Sequence, residues 1–274
     1  MIKVIGFDLD DTLWATKPTI LRAEKKLNEW LKVTVPQLSY TAESMRELRH
    51  ALTDREPELK TKITELRRRI IEHALELSDV SPSEATELSH QAVEVFLVAR
   101  NQVKFFEGSL ATLEHLSTRY ILGALTNGNA DIKRIGLDTY FSFAFSAEQV
   151  GAPKPAHDLF HAALQYNNIE PSQMVYVGDD PLLDVDAANQ AGLHTVWLKS
   201  ATKPNPGATQ ADQVIDLIDE LPAALARLEK YFLSSYRSGA RCFLIKCLSA
   251  PSSTSSLLFL VLAPFSASSV GCTG

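Results

Sequence analysis

Residues 1–14 read MIKVIGFDLDDTLW, a short apolar run that leads directly into a group of acidic side chains. The bulky residues around Val4 and Ile5 predict a buried strand over residues 3–7 that ends just before Asp8. Residues two apart on an extended backbone project to the same side, so Asp8 and Asp10 are expected to face one space. Two converging carboxylates repel each other, which raises a pKa or demands a cation. The pattern favours phosphoryl transfer, and an acidic loop or a helix cap is the alternative.

The chain beyond this stretch has two further patterns. Over residues 15–104, apolar side chains recur at helical spacing in four runs, and residues 81–84 combine a capping box with a proline at the first helical position. After residue 104, short apolar segments alternate with helical ones, which indicates a parallel sheet covered on both faces. We therefore predict an α/β protein with a Rossmann-like parallel-sheet core, formed by residues 1–14 and 105–233. An all-helical cap over 15–104 is inserted into it, above the carboxyl ends of the strands.

Two polar loops lie in the second part of the core. Thr126 and Asn127 follow a predicted strand and offer a hydroxyl and loop amides to phosphate oxygens, with a helix-capping turn as the alternative. Lys154 stands between Pro153 and Pro155, which restrict the backbone and give the side chain a nearly fixed direction. A solvated surface lysine is the alternative there.

A second acidic loop follows the predicted strand over residues 174–177. Asp179 stands where an oxygen ligand for Mg²⁺ is wanted. Asp184 is expected to open the next helix, either as a neighbour of the ligands or as a helix cap. Each of these loops is ambiguous alone, and their order along the chain carries more information than any one of them.

In that order the loops resemble the four motifs of the haloacid dehalogenase-like (HAD) superfamily. The match spans roughly residues 1–232, and the residues that carry it are Asp8 with Asp10, Thr126, Lys154, and Asp179 with Asp184. The resemblance implies a Rossmann-like core with a helical cap inserted after the first motif, and a hydrolase that uses Mg²⁺.

The resemblance also implies roles for the acidic residues. Asp8 would attack phosphorus and become an aspartyl-phosphate. Asp10 would protonate the leaving alcohol and then activate water. Mg²⁺ would be held by Asp8, the backbone carbonyl of Asp10 and Asp179, with Asp184 beside the ligands. Because a halide leaves without a proton, dehalogenases of the superfamily lack the carboxylate at position 10, and its presence here favours a phosphatase.

The remaining implied roles concern phosphate and substrate. Thr126 and the amide of Asn127 would bind phosphoryl oxygens, while Lys154 would offset charge on the nucleophile and in the transition state. Five short stretches are most similar to a bacterial flavin-phosphatase branch: FDLDDTL, ILRAE, EPEL, ALTNGNA and VGDD. This similarity suggests FMN or 5-amino-6-(5-phospho-D-ribitylamino)uracil as substrate. The alternatives are a nucleotidase, a broad sugar-phosphate phosphatase, or a silent phosphometabolite-binding protein. Aromatic cap residues such as Trp30, Tyr40 and Phe96 could stack on a ring, although helical spacing is more typical of core residues.

Composition limits the partners. The 274 residues carry a formal net charge of -6, which gives no electrostatic reason to expect nucleic acid or an anionic membrane. To bind a small phosphorylated metabolite, this acidic protein would need a locally positive site, formed by a metal ion and selected lysines. The first residues lack the pattern of a signal peptide, and all three cysteines lie after residue 241, so we expect a cytoplasmic protein without a disulfide framework. The oligomeric state stays open.

The last segment, residues 234–274, is rich in serine and is expected to be poorly ordered and dispensable for chemistry. Its apolar run, Leu257 to Phe265, has nine residues, whereas a helix needs about 20 to cross a bilayer. We therefore predict no stable membrane span.

Overall fold

The computed structural model describes residues 1–40, 42–200, 203 and 207–237. Its centre is a sheet of six parallel strands: β1 (Val4–Phe7), β2 (Ile121–Thr126), β3 (Phe141–Ser146), β4 (Met174–Gly178), β5 (His194–Leu198) and β6 (Gln213–Ile215). The spatial order is β3-β2-β1-β4-β5-β6. This sheet confirms the predicted α/β, Rossmann-like fold class.

The central strand β1 is buried on both faces because its residues are apolar or small throughout. All four of its residues are buried, and Phe7 lies opposite Ala124 on one side and Val177 on the other. Separate apolar clusters cover the two faces of the sheet; one contains Phe7 and the other contains Val4. Since β1 lies between β2 and β4, the loops that follow these three strands end side by side at one edge of the sheet.

Four α-helices lie between β1 and β2: α1 (Thr16–Thr34), α2 (Ala42–Arg55), α3 (Ile63–Glu76) and α4 (Pro82–Arg100), with a short 3₁₀ turn at Pro57–Lys60. Helix α4 packs against α1 and α3, and the apolar residues between them form a cluster apart from the two that cover the sheet. These observations support a helical cap over residues 15–104, and we keep that division as a proposal.

The predicted capping box at the start of α4 is wrong. Ser81 is the N-cap residue, but its side chain makes no hydrogen bond to the first helical amides. Pro82 begins the helix instead, since its ring presets a helical φ and it lacks the amide hydrogen that would need a partner.

The core helices are α5 (Ser109–Ser117), α6 (Ile132–Ile135), α7 (Ala147–Val150), α8 (Asp158–Asn167), α9 (Ala187–Gln190) and α10 (Leu221–Arg237). Asp184 does not open a helix as expected, because a π-helical turn over Pro181–Asp186 precedes α9. The N-cap of that turn is Asp180, whose carboxylate accepts hydrogen bonds from the amides of Leu182 and Leu183. The side chain of Asp184 is therefore not used as a helix cap and lies buried in the interior.

The last described helix, α10, continues to Arg237 and so passes the expected boundary at residue 233. The rest of the predicted serine-rich tail, with its three cysteines and its apolar run, lies outside the described residues. Among the helices of the described chain, none has the length and apolar character that a membrane crossing requires.

Candidate active site

The sheet brings the predicted loops together in one cleft. Asp8 follows β1, Thr126 ends β2 and Asp179 follows β4, and these strands are neighbours. A cavity of about 300 Å³ lies at this edge. Its lining includes every residue that the sequence nominated: Asp8, Asp10, Thr126, Asn127, Lys154, Asp179 and Asp184.

Lys154 joins the cleft through a buried ammonium group. Its Nζ lies 2.8 Å from Oδ1 of Asp8, 2.7 Å from Oδ1 of Asp184 and 2.7 Å from Oη of Tyr176. The hydroxyl of Tyr176 donates in turn to the carbonyl of Leu125 at 2.9 Å. Only 3% of Lys154 is exposed, so three oxygen acceptors replace the water that a buried ammonium would otherwise lose. The solvated-surface alternative for Lys154 is thereby wrong.

The side chain of Asn127 fixes the backbone of Lys154. Asn127 Nδ2 donates to the Lys154 carbonyl at 2.9 Å, and the Lys154 amide donates to Asn127 Oδ1 at 2.7 Å. Thr126 Oγ1 accepts from the amide of Gly128 at 2.9 Å and closes a local turn. The helix-cap alternative is wrong for Thr126 and Asn127, since the N-cap of α6 is Asp131. Binding of phosphate by Thr126 and Asn127 stays a prediction.

Burial sets the electrostatics of Asp8. Desolvation raises its pKa to about 8; the Lys154 ammonium acts to lower the pKa, and the Asp184 carboxylate adds to the increase. Burial likewise raises the pKa of Asp179 to about 6, against hydrogen bonding from Lys203. Lys154 therefore does not compensate the buried negative charge completely, and a further cation would stabilise the ionised carboxylates.

The donor set fits a divalent ion. Asp8, Asp179 and Asp184 are all buried, and each offers one carboxylate oxygen within 4.8 Å of the others. Hard oxygen donors of this kind suit Mg²⁺. Asp184 is the least available of the three, since Lys154 and the amide of Asp180 already occupy its two oxygens at 2.7 and 2.9 Å.

Asp10 has different surroundings from Asp8. Its Oδ1 accepts from Nε1 of Trp14 at 2.9 Å, and its Oδ2 accepts from Nη2 of Arg100 at 2.5 Å. The backbone turns directly after Asp10, at Asp11, which has a left-handed φ of 62°, a conformation that aspartate tolerates better than most residues. The contact with Arg100 joins the Asp10 carboxylate to cap helix α4, while Asp10 still lines the same cleft as Asp8 and Lys154.

Three polar residues of the site were not found from the sequence. Tyr176 lies within a strand that reads as apolar core, and Arg100 ends a cap helix whose charges read as surface. Lys203 pairs with Asp179 at 2.8 Å and Asp180 at 2.9 Å. The proline that follows Lys203 repeats the Lys154-Pro155 pattern and is the one signal that could have identified it.

A second, larger cavity of about 570 Å³ lies between the cap and the core. It shares Asp10, Thr16 and Gly128 with the acidic cleft. Most of its walls are apolar and come from the cap: Ile20, Leu27, Leu31, Leu38, Ile70, Ile71, Ala74 and Phe96. The guanidinium of Arg67 covers one face of the Phe96 ring at 3.6 Å from its centre. The acidic cleft and the larger cavity thus meet at Asp10, and the wall of the larger one also carries Arg46, Arg49, Arg67 and Arg100.

Comparison with known proteins agrees with this arrangement. The family model described as haloacid dehalogenase-like hydrolase matches residues 2–192. The chain is 34% identical to the 5-amino-6-(5-phospho-D-ribitylamino)uracil phosphatase YigB of Escherichia coli, over 72% of this chain and 84% of that protein. It is 28% identical to the glyceraldehyde 3-phosphate phosphatase of Pyrococcus furiosus, over 84% of this chain and 94% of that one. A solved structure described as the 2-haloacid dehalogenase of Pseudomonas syringae pv. Tomato is 41% identical, with a TM-score of 0.80, and covers 83% of this chain and 100% of its own.

Proposed function

The chain belongs to the haloacid dehalogenase-like hydrolase family, and we propose that it is a Mg²⁺-dependent phosphomonoesterase that forms an aspartyl-phosphate on Asp8. One observation carries the proposal. A buried carboxylate bound to an ammonium group lies in the same cleft as a second carboxylate, Asp10, which faces a chamber for the leaving group.

In the first step, an oxygen of the Asp8 carboxylate attacks phosphorus. The bond between phosphorus and the ester oxygen breaks, and both of its electrons go to that oxygen. The carboxyl group of Asp10 gives the leaving oxygen a proton, so that a neutral alcohol departs into the chamber. Lys154, 2.8 Å from Asp8, offsets the negative charge that gathers where the two anions meet.

In the second step, water attacks the phosphorus of the aspartyl-phosphate. The Asp10 carboxylate takes a proton from that water, the bond from phosphorus to Asp8 breaks, and inorganic phosphate and the free Asp8 carboxylate result. Asp10 is then protonated again for the next turnover. Placement of Asp10 at the junction of the two cavities supports both of its roles, because alcohol and water reach phosphorus from the same side.

We infer that Asp8 and Asp179 would hold Mg²⁺ together with the backbone carbonyl of Asp10, with Asp184 beside them. When bound, the ion neutralises phosphate charge and favours the ionised form of the carboxylates. Lys154 then holds the Asp8 carboxylate in a fixed orientation, because the side chain of Asn127 fixes the lysine backbone from the other side.

The substrate we propose is a small phosphorylated metabolite of the cytoplasm, with FMN and 5-amino-6-(5-phospho-D-ribitylamino)uracil as the first candidates. The similarity to YigB supports the second of these compounds. A chamber of about 570 Å³ falls within the size range of ligand pockets, roughly 300–1,000 Å³. Tyr40 is half-buried in its wall and is available to stack on a ring. Phe96 is not, since it is only 1% exposed and the Arg67 guanidinium covers one face of its ring.

The test is phosphate release from a panel containing p-nitrophenyl phosphate, FMN, the ribitylamino-uracil phosphate, nucleotides and sugar phosphates. We expect turnover with Mg²⁺ and loss of turnover with excess chelator, restored by added Mg²⁺. No phosphate release from any compound would refute the phosphatase proposal. Good turnover of a nucleotide or sugar phosphate with poor turnover of both flavin-related compounds would refute the substrate alone.

A second candidate, dehalogenation, is favoured by the name of the 41% identical solved structure. Asp10 argues against it, since a halide departs without a proton and a carboxylate at that point has no step to perform. Halide release from 2-chloropropionate, measured beside phosphate release, separates the two. Halide release exceeding phosphate release would reverse our preference.

A further inference from the structure

We propose that Arg49 is a specificity-determining residue that binds an oxygen acceptor at the end of the leaving group remote from the ester oxygen. The substrates it selects are phosphate esters whose alcohol carries a carboxylate or a ring carbonyl at that end. This inference rests on the proposed phosphatase function and names the class of alcohol that leaves.

The larger chamber has a positively charged wall in an acidic protein. The wall contains two carboxylates and four guanidinium groups, those of Asp10, Glu24, Arg46, Arg49, Arg67 and Arg100. Its formal charge is therefore +2, whereas the whole chain carries -6. The transferred phosphate does not account for this charge, because in the proposed reaction it lies in the acidic cleft beside Asp8 and Lys154. A concave surface of one sign attracts groups of the opposite sign, so the chamber favours a leaving group with electron-rich oxygens.

The chamber has one arginine whose charge is not offset by a neighbouring carboxylate. The other three guanidinium groups have partners: Arg67 with Glu24 at 2.6 Å, Arg100 with Asp10 at 2.5 Å and Arg46 with Glu43 at 3.1 Å. Within the described part of the chain, no carboxylate forms an ion pair with Arg49. Arg49 is exposed and lines the chamber, so a molecule bound there can reach it. A guanidinium stays charged and offers five donors, which suits a carboxylate or a carbonyl oxygen.

The fold places Arg49 away from the reacting atoms. It lies on cap helix α2, which packs on α3, whereas Asp10 follows β1 of the core. Asp10 lines both cavities, and Arg49 lines only the chamber. Met45, about one helical turn before Arg49, lines the chamber as well, so this face of α2 is turned toward it. A leaving group that starts at Asp10 and fills the chamber therefore brings its other end to α2.

The experiment compares carboxyalkyl phosphates with n-alkyl phosphates of equal carbon number. The pairs are 2-carboxyethyl with propyl, 4-carboxybutyl with pentyl, and 6-carboxyhexyl with heptyl phosphate. We expect the wild-type protein to prefer the carboxylate by about 5- to 50-fold in kcat/KM in the longer pairs, as for a charged hydrogen bond that water partly screens. The preference should be smaller in the shortest pair, whose carboxylate stays near Asp10. Added salt should reduce it, because the ion pair is open to solvent.

Arg49→Met should remove most of this preference, mainly by lowering kcat/KM for the carboxyalkyl phosphates. Arg49→Lys keeps the charge without the planar fork and should retain part of it. A second arm measures FMN relative to pentyl phosphate, since the ring carbonyls of FMN are neutral acceptors. A loss for the carboxyalkyl phosphates in Arg49→Met identifies a carboxylate as the bound group, and a loss for FMN identifies a ring carbonyl.

The matched control is Arg55→Met. Arg55 is an exposed arginine of the same helix, it pairs with Glu56 at 2.9 Å, and it is not part of the described wall of the chamber. It should leave both substrate ratios unchanged. Because the readout is a ratio of two substrates, partial loss of folded protein does not alter it.

The outcomes are separable. If wild type releases phosphate from none of these compounds and not from p-nitrophenyl phosphate, the phosphatase proposal fails. If it hydrolyses them but Arg49→Met changes neither ratio, or if Arg55→Met changes them as much, the role of Arg49 is refuted and the phosphatase proposal stands.

Discussion

Gly128 is the residue at which the structure predicts most sharply how a small change would affect turnover. A methyl group placed there would lie 2.7 Å from Oδ2 of Asp10, 3.3 Å from Oγ1 of Thr126 and 3.5 Å from Nη2 of Arg100. The first distance is about 0.7 Å short of ordinary contact. The backbone of Gly128 is outside the left-handed region, so Gly128→Ala is expected to fold and to displace the Asp10 carboxylate.

The size of the effect follows from that displacement. Catalytic groups must be held within about 0.5 Å of their productive position, and a misplacement of about 1 Å can cost 100-fold. We therefore expect Gly128→Ala to lower kcat by about 10- to 100-fold, which corresponds to about 1.4–2.8 kcal/mol. The assay is phosphate release at saturating Mg²⁺ and substrate, with thermal unfolding measured on the same preparation.

Gly136→Ala is the matched control. Gly136 has a left-handed φ of 82° and no atom within 4 Å of the added methyl group. Alanine in that conformation costs about 1 kcal/mol of stability, but nothing near Asp10 moves. The two variants should thus show opposite behaviour: Gly128→Ala loses turnover at nearly unchanged stability, and Gly136→Ala loses stability at unchanged turnover. Wild-type kcat in Gly128→Ala would refute the placement of Asp10 in the reaction.

Four other substitutions test separate parts of the site and the cap. Asp8→Asn should abolish turnover and Asp10→Asn should reduce it by about 100- to 10,000-fold, as for loss of a general acid and base; near-normal Mg²⁺-dependent hydrolysis by Asp8→Asn would contradict the nucleophile. Asn127→Asp keeps the side-chain shape but removes the donor to the Lys154 carbonyl. The free energy of unfolding should therefore fall by about 1–3 kcal/mol, and kcat should fall with it. An unchanged melting temperature would show that the hydrogen bonds between the Asn127 side chain and the Lys154 backbone are unimportant for stability. In the cap, Arg68 hydrogen-bonds to Glu65 and thereby lowers the pKa of that carboxyl. The resulting stabilisation is complete above the unfolded-state pKa of about 4.3 and is lost as the pH falls through the lower folded-state value. Arg68→Gln should therefore cost about 1 kcal/mol at pH 7, and the difference from wild type should shrink below pH 4; a pH-independent difference would mean that packing, not charge, is lost.

The sequence was sufficient to place the loops of the candidate site, because each follows a strand with a clear apolar signal. The run before Asp8 and the run before Asp179 both read as buried strands, and parallel strands end at the same edge. The direction of Lys154 was also predictable, since two prolines restrict its backbone. Each of these signals depends only on neighbouring residues in the chain. The parallel sheet then places the ends of the strands side by side.

The partners of these residues were not predictable, because they depend on contacts between distant elements. Tyr176 reads as one more apolar strand residue, and only its position beside Lys154 shows that its hydroxyl accepts a hydrogen bond. Arg100 reads as the polar end of a cap helix, and only the docking of α4 on the core brings it to Asp10. Asp184 was expected at a helix start, but the π-helical turn begins at Pro181, three residues earlier, and the buried Asp184 carboxylate contacts Lys154 instead.

The two sides of the acidic cleft are built differently. On one side, Asn127 and Lys154 are joined through main-chain atoms, and the ammonium group is closed off from solvent. On the other side, Asp179 is held by Lys203, whose side chain remains 35% accessible. Dissolved salt therefore screens the Lys203–Asp179 ion pair more strongly than the Lys154–Asp8 pair, which is closed off from water.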